Sequence, residues 1–216
     1  MNALFPVMLD LRGWPCAVLG GGPMAEEKVR LFEKTGARLV LISEEATPVL
    51  RARAGEGAFE WRRRRPVPED VKAFRLVIST LADPAANAAF AEAAEAAGAL
   101  FNAADDPPRC RFLLPSVHRQ GSLVLAVSTG GKCPALAVRI REKLSALFDQ
   151  AYAEFLDLAA EFRPVISSRF RDFSVRRKLW YRIADSPALE LLRSGRRGEA
   201  RTVIENLILA HKEDAA

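Results

Sequence analysis

The chain has few of the residues that build metal centres and disulfide frameworks. Its 216 residues include two histidines and three cysteines. The cysteines, Cys16, Cys110 and Cys133, are odd in number and widely spaced, which favours a reducing compartment over a disulfide-bonded one. They also lack zinc-finger spacing, and two histidines are too few for a His/Cys metal cluster to be expected.

Long hydrophobic runs are missing as well. No apolar stretch approaches the roughly 20 residues that a membrane-spanning helix needs. Residues 1–6 lack the basic start and the long apolar core of a signal peptide. We therefore expect a cytoplasmic protein without a membrane partner.

Acidic residues are fewer than basic ones, with 27 Asp and Glu against 32 Lys and Arg and a net charge of +5. A basic chain suits anionic partners, among them nucleic acid, a polycarboxylate or a phosphorylated cofactor. The run Arg62–Arg65 has no interleaved aromatic residues and follows a short predicted strand. We interpret it as a solvated sheet edge and expect no nucleic-acid partner.

Short apolar runs alternate with helical segments in the first half of the chain. Strands are predicted at 16–19, 38–42, 58–62, 76–80 and 100–104, and helices at 25–35 and 85–97. Gly36 and Gly98 follow the two helical segments as expected end signals. This alternation predicts an α/β fold, a Rossmann-like parallel sheet with helices on both faces.

The pattern changes after Pro108. Residues 112–117 and 123–128 predict the strands of an antiparallel hairpin joined by residues 118–122. An amphipathic helix at 135–148 follows, with Pro134 suited to its first turn. The rest is predicted to be helical, with breaks near Pro164, Pro187 and 194–195. Three parts result, which are a sheet domain at 1–112, a hairpin-and-helix segment at 113–148 and a helical domain at 149–216.

The most informative motif is the glycine turn between the first strand and the first helix, where Gly20–Ala25 match G-x-G-x-x-A. Gly20 permits a tight turn, and Gly22 lets the backbone approach a pyrophosphate closely. Ala25 lets the helix pack close to the strand, and the helix N-terminus faces the phosphates. A glycine turn can also simply join a strand to a helix, but this context favours a dinucleotide site.

Two other strand ends contribute to the predicted cofactor cleft. Ser43 and Glu44 follow the second strand, where an acidic residue usually holds the ribose hydroxyls, and residues 43–47 contain no arginine for a 2′-phosphate, so NAD is favoured over NADP. Glu44 and Glu45 could instead cap the next helical turn. Thr80 and Leu81 follow the fourth strand. The predicted cofactor-binding residues are Gly20, Gly21, Gly22, Pro23, Met24, Ala25, Ser43, Glu44, Thr80 and Leu81.

Six motifs occur in an order that is specific when taken together. They are GGGPMAEEK at 20–28, FNAADDP at 101–107, FLLPS at 112–116, AVSTGGKCP at 126–134, RIREKL at 139–144 and RRKLW at 176–180. In this order they resemble the precorrin-2 dehydrogenase and sirohydrochlorin ferrochelatase family, the N-terminal module of siroheme synthases.

The resemblance implies NAD-dependent oxidation of precorrin-2 to sirohydrochlorin and, in some members, insertion of Fe²⁺ to give siroheme. It also implies a homodimer, with the segment at 113–148 serving dimerisation and the tetrapyrrole cleft and the C-terminal helices contributing to both. The methyltransferase domain that is fused to some members is outside these 216 residues. We therefore expect methylation of uroporphyrinogen to occur elsewhere.

The resemblance also assigns site residues. Asp105 matches a family aspartate implicated in both activities, so it is the expected proton acceptor and a transient contact for Fe²⁺, with no fixed metal site. On sequence alone, Asp105 and Asp106 would merely cap a turn before Pro107. The residues expected to bind the tetrapyrrole are Asn102, Ser128, Thr129, Gly130, Gly131 and Lys132.

Several basic and hydroxyl side chains near this site have two interpretations. Lys132, Arg109 and Arg111 could receive substrate carboxylates or be solvated surface charges. Thr129 replaces a serine of some relatives in a loop where phosphorylation has been reported, which leaves its modification open. His118 titrates near neutrality, but its predicted place in a hairpin turn favours a surface histidine over a general base.

Two other functions and one structural alternative stay open. The chain could be an NAD-sensing regulator whose basic helical tail binds nucleic acid, or a relative that binds tetrapyrrole without turnover. The apolar stripe of Phe155, Leu156, Leu158 and Phe162 fits a dimer interface or a core within one chain.

Overall fold

The computed structural model describes residues 4–211, and the chain divides into two compact units, residues 1–114 and 115–216. The first and last predicted domains extend into residues 1–3 and 212–216, which lie outside the described residues. The hairpin segment and the C-terminal helices, predicted as separate parts, belong to the same unit.

The first unit contains a sheet of parallel strands in the order β3-β2-β1-β4-β5. The strands are β1 (Pro15–Leu19), β2 (Arg38–Ile42), β3 (Glu60–Arg62), β4 (Leu76–Ser79) and β5 (Leu100–Ala103). Apart from the edge strand β3, their short, nearly continuous apolar sequences are typical of strands that are covered on both faces. The predicted Rossmann-like sheet is thereby confirmed.

Helices cover both faces of this sheet. They are α1 (Pro23–Leu31), α2 (Pro48–Gly55) and α3 (Pro84–Ala97), with a 3-10 helix at Pro68–Ala73. Successive strand side chains point to opposite faces. Val18 therefore joins the core under α1 and α2, while Leu19 joins the core under α3 and the 3-10 helix.

The helices of the first unit differ in part from the prediction. α1 ends at Leu31, four residues before the predicted end, because Lys34 takes a left-handed φ of 63° and Gly36 one of 71°. α2 and the 3-10 helix were not predicted, although each begins with a proline. Gly98 ends α3 in the left-handed conformation, as predicted.

The second unit begins with an antiparallel hairpin of β6 (Ser116–Gln120) and β7 (Leu123–Val127). Helices follow as α4 (Pro134–Leu147), α5 (Gln150–Arg169), α6 (Phe173–Ala184), α7 (Ala188–Arg193) and α8 (Arg197–Ala210). Pro134 is the first residue of α4, as predicted. Residues from α5 to α8 form one apolar core. Among residues 4–211, no helix combines the length and the apolar character that crossing a bilayer requires.

Two predictions about the second unit are wrong. The first hairpin strand starts at Ser116, so that His118 pairs with Leu125 inside the strand, and only Gly121 and Ser122 form the turn. His118 is half-buried, and its Nε2 lies 3.1 Å from the Phe148 carbonyl oxygen. The surface-turn interpretation of His118 is therefore incorrect.

Pro164 does not break the helical region. It lies inside α5, on an exposed position where water can satisfy the backbone carbonyl that the proline leaves unpaired. Core packing of Phe162 and Ile166 on either side supports the continuous helix. The predicted breaks near Pro187 and at 194–195 are confirmed, because α7 lies between them.

The apolar stripe of α5 contributes to the core of its own chain. Leu158 and Phe162 are buried there, and Phe155 packs against the same core. This part of the stripe therefore has an intrachain role.

Candidate functional site

The glycine turn connects β1 to α1 at the carboxyl edge of the sheet, the edge where the parallel strands end. Gly20 has a φ of 101°, which a side chain would strain. A Cβ atom at Gly20 would also lie 2.5 Å from Thr80 Oγ1 and 3.5 Å from Leu81 Cδ2. The turn therefore requires glycine at this position, and it brings the ends of β1 and β4 together.

Gly21 makes the closest backbone approach of the turn. A Cβ atom there would overlap the Glu45 carbonyl oxygen and would lie 2.8 Å from Ser43 Oγ. The Gly21 carbonyl accepts a hydrogen bond of 3.0 Å from Thr47 N. Gly21, for which the motif predicted no packing role, thus joins the turn to the segment after β2.

Gly22 differs from Gly20 and Gly21 because, among the described residues beyond its chain neighbours, no atom lies within 4 Å of the position of a Cβ atom there. Gly22 is the N-cap of α1, and Pro23 and Met24 begin the helix. N–H groups in a first helical turn have no acceptor within the helix and can bind an anion. Ala25 is fully buried behind them. The open space at Gly22 and the free N–H groups of the first turn of α1 fit the pyrophosphate of a dinucleotide.

The end of β2 presents one buried and one exposed polar residue. Ser43 is buried, and its Oγ and carbonyl oxygen both accept hydrogen bonds of 3.1 Å from the indole N–H of Trp61. Glu44 is exposed. The N-cap of α2 is Thr47, whose Oγ1 accepts from Leu50 N at 3.2 Å. The alternative in which Glu44 and Glu45 cap this helix is therefore wrong.

A buried polar network holds the segment after β4. Ser79 Oγ donates to Asn87 Oδ1 at 2.6 Å, and Asn87 Nδ2 donates to the Leu81 carbonyl at 3.0 Å. The Thr80 hydroxyl donates to the Leu19 carbonyl at 2.8 Å. Thr80 and Leu81 are thus fixed beside the glycine turn. An amide within an alanine-rich helix is the sequence signal that could have identified Asn87.

We predict that Asn87→Ala lowers the free energy of unfolding by about 1–3 kcal/mol, because the buried Ser79 O–H loses its acceptor and the Leu81 carbonyl loses its side-chain donor. Denaturant unfolding of the variant measures this loss. Glu92→Ala, an exposed change in the same helix, is the matched control and should stay within about 0.5 kcal/mol of the wild type. Equal stability of both variants would contradict a structural role for the network.

Two neighbouring aspartates follow β5 but have different surroundings. Ala104 N donates to the Ser79 carbonyl at 3.0 Å, which places this turn beside the end of β4. Asp106 forms an ion pair of 2.7 Å with Arg109. Asp105 is exposed, and no described cation lies within 4.0 Å of its carboxylate. Of the two aspartates, Asp105 is therefore the one whose carboxylate has no ion-pair partner among the described residues.

Cys110 and Asn102 hold the Asp105 turn from inside the protein. Cys110 Sγ lies 3.3 Å from the Ala103 backbone nitrogen and oxygen and from the Asp106 carbonyl. Asn102 is buried, and its Nδ2 donates to the Phe112 carbonyl at 2.9 Å and to Cys110 Sγ at 3.3 Å. Burial raises the pKa of the Cys110 thiol, which stays protonated at neutral pH and can donate to a carbonyl.

These contacts bear on Asn102, which was predicted to bind the substrate, and on Arg109 and Arg111, for which two interpretations were open. The Asn102 amide nitrogen is engaged in the interior, so the geometry assigns Asn102 to positioning the turn. Arg109 is paired with Asp106. Arg111 is paired with Glu95. Sequence reasoning missed the supporting residues Trp61, Asn87 and Cys110.

The second glycine loop lies in the second unit, immediately before α4. Ser128 Oγ accepts from Gly130 N, and Thr129 Oγ1 accepts from Cys133 N, both at 3.1 Å. Gly130 and Gly131 have φ values of 63° and 79°. Since both hydroxyls act as acceptors within the loop, their O–H groups are available to donate to an anion. Lys132 is exposed in the same loop.

Within residues 4–211, no group of three or more His, Cys, Asp or Glu side chains is arranged to hold a metal ion. Cys16, Cys110 and Cys133 are free thiols. Burial raises the pKa of Cys16 to about 11.

Three family models match the chain. An NAD(P)-binding model matches residues 7–116, a sirohaem biosynthesis central model matches residues 120–147, and a sirohaem synthase dimerisation model matches residues 151–208. The first unit of the structure is therefore an NAD(P)-binding domain. The dimerisation model covers most of the helical part.

Similar proteins agree with these models. The siroheme synthase of Chromobacterium violaceum is 33% identical over 212 residues, which are 98% of this chain and 45% of the relative. Siroheme synthase 1 of Pectobacterium atrosepticum is 32% identical over 214 residues, which are 99% of this chain and 44% of the relative. The chain thus spans less than half the length of these relatives.

A solved structure is similar over its whole length. It is described as SirC, precorrin-2 dehydrogenase, and it is 25% identical with a TM-score of 0.73. The similarity covers 94% of this chain and 100% of the solved chain. These names give no support to the alternative of an NAD-sensing regulator that binds nucleic acid.

Proposed function

The chain belongs to the siroheme synthase family, whose NAD(P)-binding domain it carries, and we propose that it oxidises precorrin-2 to sirohydrochlorin with NAD. The main observation in support of this proposal is that the glycine turn and Asp105 both lie at the carboxyl edge of one sheet. Similarity to a precorrin-2 dehydrogenase over all of that protein's length supports it.

The first part of the proposal concerns the cofactor. Gly20 would allow the tight turn, Gly22 would let the pyrophosphate approach the N-terminus of α1, and Glu44 would accept hydrogen bonds from the adenosine ribose. When bound, NAD supplies the acceptor for a hydride. Thr80 and Leu81 would line the cleft, since their backbone is fixed beside Gly20.

Asp105 is the proposed proton acceptor. Oxidation of precorrin-2 removes a hydride and a proton, so the site needs a base as well as the cofactor. The Asp105 carboxylate is exposed and has no cationic partner among the described residues. The contacts of Cys110 and Asn102 restrain the turn that carries it. A carboxylate held in this way can take a proton from a substrate carbon or nitrogen.

The second unit would contribute substrate recognition. A tetrapyrrole of this class carries several carboxylates, which suit the Ser128 and Thr129 hydroxyls, the bare N–H groups of Gly130 and Gly131, and the charge of Lys132. The net charge of +5 is also favourable for an anionic substrate.

We also propose that the chain forms a homodimer. Residues 151–208 match a dimerisation region, and α4 exposes apolar side chains such as Leu136 and Leu147 that a second copy could cover. Light scattering should give twice the chain mass of 23.8 kDa. A mass of 23.8 kDa at micromolar concentration would contradict the homodimer.

An anaerobic assay tests the proposed reaction. Purified protein receives enzymatically generated precorrin-2 and NAD, and the NADH and sirohydrochlorin absorbances are followed. Sirohydrochlorin should form only when NAD is present. If folded, NAD-binding protein gives no product, the proposed oxidation is wrong and a binding-only role gains weight.

The same assay addresses metal insertion. Fe²⁺ is then added as a substrate to the sirohydrochlorin that has formed. Siroheme formation faster than in a protein-free control would assign ferrochelatase activity to the chain. A rate equal to that control would leave the chain a dehydrogenase alone.

A further inference from the structure

The arginine run Arg62–Arg65 lies closer to the cofactor cleft than its sequence suggested. Arg62 ends β3 and pairs in register with Ile42, the last residue of β2. Ser43 N also donates to the Arg62 carbonyl at 3.2 Å. Arg63 therefore begins the loop that leaves the sheet beside Ser43 and Glu44, at the carboxyl edge.

The arginines of this run have different partners. Arg62 pairs with Glu60 at 2.8 Å and lies over the ring of Phe74. Arg64 binds Asp70 through two hydrogen bonds, and these hold the pKa of Asp70 below its usual value. The charges of Arg62 and Arg64 are thus largely neutralised.

Arg63 has a different kind of partner. Its guanidinium carbon lies 5.3 Å from the centre of the Trp61 ring. Within residues 4–211, no carboxylate lies within 4.0 Å of its guanidinium. A guanidinium stacked on an aromatic face keeps its N–H edge available for bidentate binding of a phosphate.

Trp61 connects this guanidinium to the glycine turn. The indole N–H donates to Ser43 Oγ at 3.1 Å. That same oxygen lies 2.8 Å from the position of a Cβ atom on Gly21. Arg63 thus belongs to a chain of contacts that leads through Trp61 and Ser43 to the turn, on the side where Glu44 leaves the sheet.

We propose that Arg63 receives the 2′-phosphate of NADP, so that this cofactor site binds NADP as well as NAD. The expectation of NAD alone rested on the lack of arginine in residues 43–47, and the structure supplies the cation from the neighbouring strand instead. Glu44 favours the free 2′-hydroxyl of NAD, and the charge of Arg63 offsets its repulsion of a 2′-phosphate. The proposal rests on the NAD(P)-binding domain and is independent of the tetrapyrrole.

Binding measurements on the full chain test the proposal without any turnover. NADH and NADPH are titrated separately at one fixed ionic strength and followed by nicotinamide fluorescence. We expect the wild-type Kd values of the two cofactors to agree within about tenfold, which is 1.4 kcal/mol. Arg63→Ala should weaken NADPH by about 10- to 100-fold and NADH by less than about threefold, as expected for a charged hydrogen-bonding partner of one phosphate.

Two further variants serve as controls. Arg65→Ala removes the same charge from an exposed position of the same run and should leave the NADPH affinity unchanged. Arg63→Lys keeps the charge and should restore part of the affinity. Equal weakening of NADH and NADPH by Arg63→Ala would overturn the proposal, as would unchanged NADPH binding or a wild type that binds NADH alone. Because no substrate is present, none of these results depends on the proposed oxidation.

Discussion

Asp105→Ala should slow the NAD-dependent oxidation of precorrin-2 by about 10²- to 10⁴-fold, the usual contribution of a general base. The fold and the NADH affinity should be retained, because Asp105 is exposed and has no ion-pair partner among the described residues. Asp105→Asn, which keeps the shape of the side chain and removes the base, should show a similar loss. Anaerobic measurement of kcat and of the Kd for NADH separates the two effects.

Asp106→Ala is the matched control for this prediction. It removes the neighbouring carboxylate and breaks its partly exposed ion pair with Arg109, which should change kcat by no more than a few fold. Unchanged dehydrogenation in Asp105→Ala would exclude Asp105 as the base. If the wild type also inserts Fe²⁺, loss of both activities in Asp105→Ala would indicate one shared site.

The sheet and the glycine turn could be predicted because their signals are local. Continuous apolar runs of four or five residues, separated by helical segments, indicate a parallel sheet, and its carboxyl edge is where ligands bind. The separate strand ends at Glu44, Thr80 and Asp105 could therefore be assigned to one edge. The two connections that were missed, α2 and the 3-10 helix at Pro68–Ala73, are short and have little helical periodicity.

Side-chain partners were harder to predict because they depend on contacts between distant parts of the chain. Ser43 and Asn102 are polar residues at strand ends, a position that suggests ligand contact. In the structure, Ser43 accepts from Trp61, and Asn102 donates to Phe112. Whether a polar atom faces a ligand or a neighbouring loop depends on register and loop path, which a single sequence does not encode locally.

The arginine run shows the same limitation. Four successive arginines are typical of a solvated edge, and β3 is indeed the edge strand of the sheet. Inside β3, alternation directs Trp61 and Arg62 to opposite faces, and Arg63, the first residue after the strand, lies over the Trp61 ring while Arg62 lies over that of Phe74. To tell these arginines apart, one must know that β3 lies beside β2, and the order of the strands along the chain does not reveal this.

The adjacent glycines Gly21 and Gly22 offer a test that separates folding from cofactor binding. Gly21→Ala would place a Cβ atom against the Glu45 carbonyl, in a segment restrained by Thr47 and by the bond between Ser43 and Trp61. Backbone contacts of this kind cannot relax easily. We expect a loss of stability of about 1–3 kcal/mol or more, as for overpacked sites, together with loss of measurable NADH binding.

Gly22→Ala should lose NADH affinity without losing stability. Gly22 has an ordinary φ of −83°, and its Cβ atom would meet nothing within 4 Å, so the free energy of unfolding should stay within about 0.5 kcal/mol of the wild type. That open space is where the pyrophosphate would approach the backbone, so the NADH affinity should fall by at least about tenfold, or 1.4 kcal/mol. Chemical denaturation and NADH titration of both variants provide the comparison.

The comparison is informative because the two substitutions add the same methyl group one residue apart. If Gly22→Ala binds NADH as the wild type does, the space beside α1 does not receive the pyrophosphate, and the glycines serve only to connect the strand to the helix. If Gly21→Ala is as stable as the wild type, the backbone after β2 moves aside more easily than its hydrogen bonds indicate. A stable Gly22→Ala that binds NADH poorly would indicate that the cofactor itself occupies the space of the added methyl group, because no described residue beyond the two chain neighbours lies within 4 Å of that position.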